Sequence, residues 1–435
     1  METPAVAFGE TGRQRARAAD ERDPLAEFAN RFDVPGTYMD GNSLGPLSAD
    51  AVAAVEHVLD EWRDYAVEGW TDADPDWFHY GERLGGRLAP LVGAREPEVA
   101  VCGSTTANVH TLVGTFYDAA NGGNAAHADD PGVVLVNELD FPTDHYAVRA
   151  QLRARGLDPD DHLAVVESRD GRTIEQSDIE RALQEQDVDI LFFPSVLYRS
   201  GQLFDIAELA ALAHEYGAYA GFDLAHSVGV VPHDLHGAGV DFAVWCHYKY
   251  LNAGPGAVAG LFCHEEHFGI QPALAGWWGH EKETQFEMRQ TFTPAANAGA
   301  FQIGTVPVLA AAPLDGALDV IHEAGIASLR EKSAALAEYL VALVDELPDA
   351  FAVGSPRDPA RRGGHVAVEH DEAARLAAAL TDRDVIVDYR PPNVVRVAPA
   401  PLYTGFVDVH RVAATLRSLH ESRAYEAYEP PSGVT

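Results

Sequence analysis

Five short apolar runs in the middle of the chain, GVVLVN, HLAVVES, DILFFPSVL, AYAGFD and DFAVWC, alternate with segments of helical period. The runs are β-branched or aromatic, the composition of strands buried on both faces. Among the intervening segments, IEQSDIERALQEQ and DIAELAALAHEYG are amphipathic, and Gly217 ends the second as a natural helix stop. Strand–helix–strand alternation over this length predicts an α/β domain with a parallel or mostly parallel sheet. From about residue 308 the pattern changes. A long helix, IASLREKSAALAEYLVALVDEL, leads into GGHVAVEH, a helix, VIVDYR, VVRVAP and a final helix, the order of a small α+β domain. The expected division is an N-terminal segment over 1–62, a large α/β domain over 63–307 and a small domain over 308–435. In the first of these, Ser48 is placed to cap a helix whose Val52, Val55, Val58, Leu59 and Trp62 recur at helical spacing.

Charge excludes some partners. Acidic residues number 67 against 31 basic ones, a net charge of −36. Nucleic acid recognition needs basic patches, so no nucleic-acid partner is expected. The acids are scattered and form a solvated surface whose self-repulsion calls for salt screening, the mark of a halophilic, high-salt cytoplasm. Cys102, Cys246 and Cys263 are odd in number, far apart and set in apolar runs, which predicts packed thiols in a reducing compartment. The first residues show no hydrophobic signal region and no stretch is apolar enough to span a membrane, so a cytoplasmic protein without a membrane partner is expected.

Lysine occurs only at Lys249, Lys282 and Lys332, so lysine chemistry has three candidates. Lys282 and Lys332 read as solvated. Lys249 ends an apolar strand between two tyrosines, in AVWCHYKYLNAGPG, where burial would make its amine nucleophilic and suited to a Schiff base. Asp223 closes the buried run AYAGFD, a place from which a carboxylate can hold a pyridinium N–H or simply cap a turn. His226 follows three residues later. Gly103-Ser104-Thr105-Thr106 precedes an apolar helix, giving hydroxyls and backbone N–H groups either to a phosphate or to ordinary capping. Phe141 and Asp144 lie just past a strand, where an aromatic could stack on a ring. No G-x-G-x-x-G follows a strand. The histidines of HSVGVVPHDLHG come without a compact carboxylate or cysteine set and predict no metal. Near the start, Gly41-Asn42-Ser43-Leu44-Gly45 matches the G-x-S-x-G nucleophile elbow. Only an irregular leader precedes it and Pro46 follows at once, so a glycine-rich loop over a cofactor site is the better reading.

In chain order these pieces run phosphate cup, stacking aromatic, Asp223 and Lys249. With YMDGNSLGP, FPTDHY, GFDLAHSVG, VDFAVWCHYKYLNAGPG, GWWGHEKETQFEM and RVAPAPLYTGF, the chain resembles the kynureninases from about residue 38 onward. The resemblance implies a fold-type-I, aminotransferase class V-like enzyme using pyridoxal 5'-phosphate. It implies hydrolysis of L-kynurenine or 3-hydroxykynurenine to an anthranilate and L-alanine, within tryptophan catabolism, the kynurenine pathway and NAD biosynthesis. Another class-V-like lyase or aminotransferase is the alternative.

The resemblance also assigns roles. Lys249 carries the cofactor and moves the Cα proton, and Tyr248 serves as acid/base. Asp223 meets the pyridine nitrogen with His226 beside it. Thr105, Thr106 and Tyr248 hold phosphate with Trp277 of a neighbouring subunit, while Phe141, Asp144, Ser195 and Thr305 complete the cofactor site. Asn42, Ser43, His280, Thr305 and Arg396 contact substrate, Arg396 clamping its carboxylate. Sites completed between subunits imply a homodimer. The chain departs from the family pattern at Gln285 and Gln302, where arginines are usual, and at Gly304-Thr305, where Ser-Asn is usual. These positions are expected near the pocket, where they would bear on the substrate.

Overall fold

A computed structural model describes residues 1–128 and 130–430. The last five residues of the expected small domain, 431–435, lie outside it. The apolar runs form one seven-stranded sheet: β1 Val99–Val101, β2 Val133–Asn137, β3 Leu163–Val166, β4 Val188–Pro194, β5 Tyr219–Asp223, β6 Phe242–Trp245 and β7 Gly260–Cys263. Their order is β1-β7-β6-β5-β4-β2-β3, and only β7 runs antiparallel to its neighbours. Helices cover both faces, so residues pointing either way from β4, β5 and β6 are buried and the alternation typical of half-exposed strands disappears. The segments after β1, β2, β4, β5 and β6 therefore emerge at one edge of the sheet, where open α/β folds place their ligands.

The helix Ile206–Glu215 ends as expected at Gly217, whose φ of +84° is open to glycine. The small domain is an antiparallel sheet of β8 Ala352–Val353, β9 Val366–Glu369, β10 Asp388–Arg390 and β11 Val394–Val397, ordered β8-β9-β11-β10. The helices Ile326–Val344, Ala373–Thr381 and Phe406–Ser422 cover it. Along Ile326–Val344 the core changes hands: Leu329 packs with the large domain, whereas Ala335 onward packs with the small one.

The N-terminal segment ties both domains together. Helix Gly9–Asp20 docks on the small domain, and the Asp20 carboxylate accepts the backbone N–H groups of Phe406 (2.6 Å) and Val407 (3.1 Å). Thr37 and Tyr38 pair in parallel with Val385 and Ile386, and Asp40 bridges Ala398. Ser48 caps helix Ala49–Tyr65 as expected, accepting from Ala51 N–H at 3.1 Å. Only part of its apolar stripe is buried, however. Ala51, Val58 and Glu61 point inward while Val52, Leu59 and Trp62 are exposed.

The lysines correct one expectation. Lys332 is buried in an ion pair with Asp23 at 2.6 Å, its side chain only 3% exposed. Lys282 is largely covered too, 3.5 Å from Glu82 and lying over the rings of Phe78 and Trp278. A helical period cannot show that the solvent side of one helix is roofed by another segment, which is why Lys332 read as solvated. The local polarity of HEKETQ likewise could not show that Lys282 folds back over aromatic rings.

Candidate active site

A cavity of about 610 Å³ opens where the sheet edge, the N-terminal loop and the small domain meet. Lys249, Tyr248, Asp223, His226, Thr105, Thr106 and Phe141 line it from the large domain, Asn42 and Ser43 from the loop, and Arg396 from the small domain. Six segments far apart in sequence thus converge on one space.

The elements explain the placement. Asp223 is the last residue of β5; its Oδ1 accepts from Ala225 N–H at 2.7 Å, which fixes the carboxylate at the strand end. Burial raises its pKa above the ordinary carboxylate value, and the nearby Lys249 charge opposes that rise. Lys249 follows β6, and its Nζ lies 3.0 Å from His226 Nε2. Burial holds the His226 imidazole well below its ordinary range, so it is neutral and its Nε2 accepts from the lysine. Thr105 and Thr106 open helix Thr105–Ala120, capped by Ser104, and Thr106 Oγ1 meets Thr143 Oγ1 at 2.8 Å. Asp144 is buried nearby with Oδ1 unpartnered among the described residues, and its carboxyl is pushed far up by burial and by the charge of Asp223.

The N-terminal loop is pressed onto the lysine strand. Gly45 N–H donates to Tyr248 O at 2.7 Å, and a Cβ at Gly45 would lie 2.6 Å from Lys249 O. Ser43 is no elbow nucleophile. Its Oγ accepts from Arg396 Nη2 at 2.8 Å and donates to Asp388 Oδ2 at 3.1 Å. Asn42, in the amide orientation that satisfies its neighbours, accepts from Arg396 Nε at 3.0 Å and donates to Asp40 at 3.3 Å.

Other expected residues lie elsewhere. Ser195 does not line the cavity; its Oγ bonds Asp223 O (3.3 Å) and Ser227 Oγ (2.7 Å), one layer behind the carboxylate. Trp277 and Thr305 are exposed, and His280 is turned into its own loop against Thr284 Oγ1 (3.1 Å) and Thr293 N–H (3.1 Å). None of the three lines this cavity. Gln285 and Gln302 also fall away from it. Both are buried, Gln302 donating to Glu82 at 2.7 Å, so these departures from the family pattern lie inside a packed loop. Among the loop histidines, His233 bonds Ser227 Oγ and His236 bonds Glu98, which is distant in sequence. Glu98 also accepts backbone N–H groups from Glu265 and Arg95, and the His236 ring stacks on His264. All three cysteines are buried, with Cys246 on the cavity wall.

Sequence reasoning missed Asp388, Arg390, Asp40, Tyr38 and His365. His365 lies fully buried with its ring 5.7 Å from that of His226. For Asp388 and Arg390 a signal existed in DYRPPNVVR. A hairpin reading puts Asp388 and Arg390 on one face and Asp388 opposite Arg396.

The donor set fits pyridoxal phosphate. An amine and a carboxylate face one cavity, with hydroxyls at a helix N-terminus on the same wall and a planar ring at its side. Fold and site define a fold-type-I pyridoxal-phosphate-dependent enzyme. The Escherichia coli cysteine desulfurase CsdA superposes with a TM-score of 0.74 at 17% identity, covering 93% of this chain and 99% of that one. A Thermococcus onnurineus cysteine desulfurase gives 0.72 at 18% identity, covering 96% and 100%. At this identity these establish the fold. A kynureninase of Geobacillus thermodenitrificans is 46% identical over 417 residues, 95% of each chain, and one of Bacillus thuringiensis is 46% identical over 421 residues, 95% and 96%. Residues 329–416 match the kynureninase C-terminal domain family. The chain belongs to the kynureninase family.

Proposed function

We propose that this chain hydrolyses the Cβ–Cγ bond of L-kynurenine or 3-hydroxykynurenine in the cavity around Lys249, releasing an anthranilate and L-alanine. Bound pyridoxal phosphate supplies the electron sink for the Cα carbanion. The observation that carries the reading is the convergence of Lys249, Asp223 and Arg396 on one cavity, with Arg396 reaching it from the other domain.

Each residue has a task its surroundings suit. Thr105, Thr106 and the backbone N–H groups beginning their helix bind phosphate. Asp223 would hold a pyridine N–H, with Phe141 and Asp144 beside the ring. Lys249, beside a neutral His226 able to accept from it, moves the Cα proton. Burial raises the Tyr248 phenol, which keeps it protonated and able to donate. Arg396 receives the substrate carboxylate, with Asn42 and Ser43 at its side.

Trp277 and Thr305, exposed and off this cavity, serve the neighbouring subunit's site in a homodimer. The exposed Val52, Leu59, Trp62, Trp277 and Phe286 supply apolar surface for such an interface. The enzyme works in a salt-rich cytoplasm, where its acidic surface is screened, and feeds tryptophan catabolism and NAD biosynthesis.

The test is release of anthranilate and 3-hydroxyanthranilate from the two kynurenines by the cofactor-loaded protein in high salt. Borohydride should fix the cofactor onto Lys249, located by peptide mass, and Lys249→Ala should abolish both fixation and turnover. A loaded parent protein that hydrolyses neither compound would refute the substrate.

A further inference from the structure

The Arg396 guanidinium reaches the cavity already engaged. Arg396 and Asp388 are directly opposed across the β10–β11 pair, and both side chains are buried, 1% and 0% exposed. Asp388 Oδ1 accepts from Arg396 Nε at 3.0 Å, and Oδ2 accepts from Arg396 Nη2, so one whole edge of the guanidinium is taken. The same Oδ2 accepts from Ser43 Oγ (3.1 Å) and from Arg390 Nη2 (2.8 Å). Arg396 Nη1 donates to Tyr198 O at 2.7 Å, a tie to the large domain. One carboxylate therefore gathers two guanidiniums and the hydroxyl of the N-terminal loop.

We propose that Asp388 is the positioning residue of the substrate-carboxylate site. It sets the plane of the Arg396 guanidinium, turning the Nη1/Nη2 side toward the cavity, and it seats Ser43 of the loop against that guanidinium. This rests on the reading that Arg396 receives the substrate carboxylate. Two buried arginines need a counter-ion, and a bidentate one also dictates orientation. A cross-strand position suits the task, because β-ladder hydrogen bonds fix the distance between the two Cα atoms.

Electrostatics alone gives the opposite expectation. If Asp388 merely competed with substrate for Arg396, removing its charge would tighten substrate binding. The geometry favours positioning, since Asp388 occupies the Nε/Nη2 edge while Nη2 also donates to Ser43 Oγ of the loop and Nη1 to Tyr198 O. The carboxylate thus fixes the guanidinium without taking both terminal nitrogens.

The experiment uses the cofactor-loaded enzyme with L-alanine, which bears the carboxylate, and ethylamine, which lacks it, binding being read from the cofactor absorbance. In Asp388→Asn, L-alanine should bind about 30-fold or more weaker, as when one member of a buried charge pair is lost. Ethylamine should change less than about threefold, within the range of unspecific effects. Asp388→Glu keeps the charge but moves it by one methylene; it too should lose most of the preference for L-alanine while folding as the parent does. For kynurenine, KM should rise far more than kcat falls. Tighter L-alanine binding, equal weakening of both ligands, or an unchanged preference in Asp388→Glu would overturn the proposal. A parent enzyme that does not prefer L-alanine would instead refute the Arg396 reading beneath it.

Discussion

Lys249 Nζ and His226 Nε2 stand 3.0 Å apart, joining the strand end after β6 to the turn after β5 on one wall of the cavity. The amine is thereby aimed by a neutral ring that offers one acceptor and whose Nδ1 has no partner among the described residues. His226→Ala should remove that aim and the ring from the cavity wall. Losing a hydrogen bond and a ring contact costs about 1–2 kcal/mol, so the cofactor should be retained about tenfold less tightly. Equilibrium dialysis against pyridoxal phosphate measures this, and undiminished retention would assign His226 a packing role only.

Arg396→Lys is expected to behave as a radical change. A lysine cannot meet Asp388 on two atoms and also reach Tyr198 O and Ser43 Oγ. The cost of an impaired buried charge pair, about 2–4 kcal/mol, corresponds to a loss of roughly 30- to 1000-fold in kcat/KM. Steady-state kinetics on kynurenine decides it; a loss below threefold would show that the guanidinium shape is irrelevant.

Asp40 predicts a pH-dependent stability. Burial first, then the Asp388 charge, pushes its carboxyl up to about 6 from 3.8. The folded chain therefore holds this proton more tightly than the unfolded one. The contribution is complete below about pH 4 and is lost as pH rises through about 6. Asp40→Asn cannot ionise, so its melting temperature relative to the parent should climb between pH 5 and pH 7.5. Parallel melting curves across that range would show that Asp40 is ionised throughout.

The Lys332–Asp23 pair gives a stability prediction remote from the cavity. Lys332→Met leaves a buried carboxylate without its partner, a loss of about 3–5 kcal/mol. Adding Asp23→Asn should recover most of it. Chemical denaturation of the two variants measures the difference, and equal stability of the single and double variants would contradict the burial.

Much of the fold was legible because two periods are written into the chain. Apolar runs without alternation give strands covered on both faces, and amphipathic segments between them give the covering helices, so the α/β sheet follows locally. Ser48 and Gly217 mark helix ends through their own side-chain and backbone chemistry. Within the site, Lys249, Asp223, Thr105 and Phe141 were legible because each sits where an apolar strand stops, and in parallel sheets those ends share one edge.

What sequence alone determined is therefore the set of elements and the chemistry delivered to the edge of the large sheet. Tertiary structure decided the rest, because it depends on which distant surfaces meet. The pairing of Thr37 and Tyr38 with Val385 and Ile386 lays Asn42 and Ser43 against Arg396, more than 350 residues away in the chain. Packing of separate segments also buries Lys332, turns Trp62 outward and keeps Trp277 and Thr305 off the cavity of their own chain. Local periodicity records which side of an element is apolar, whereas the identity of its neighbour is fixed only when the whole chain closes on itself.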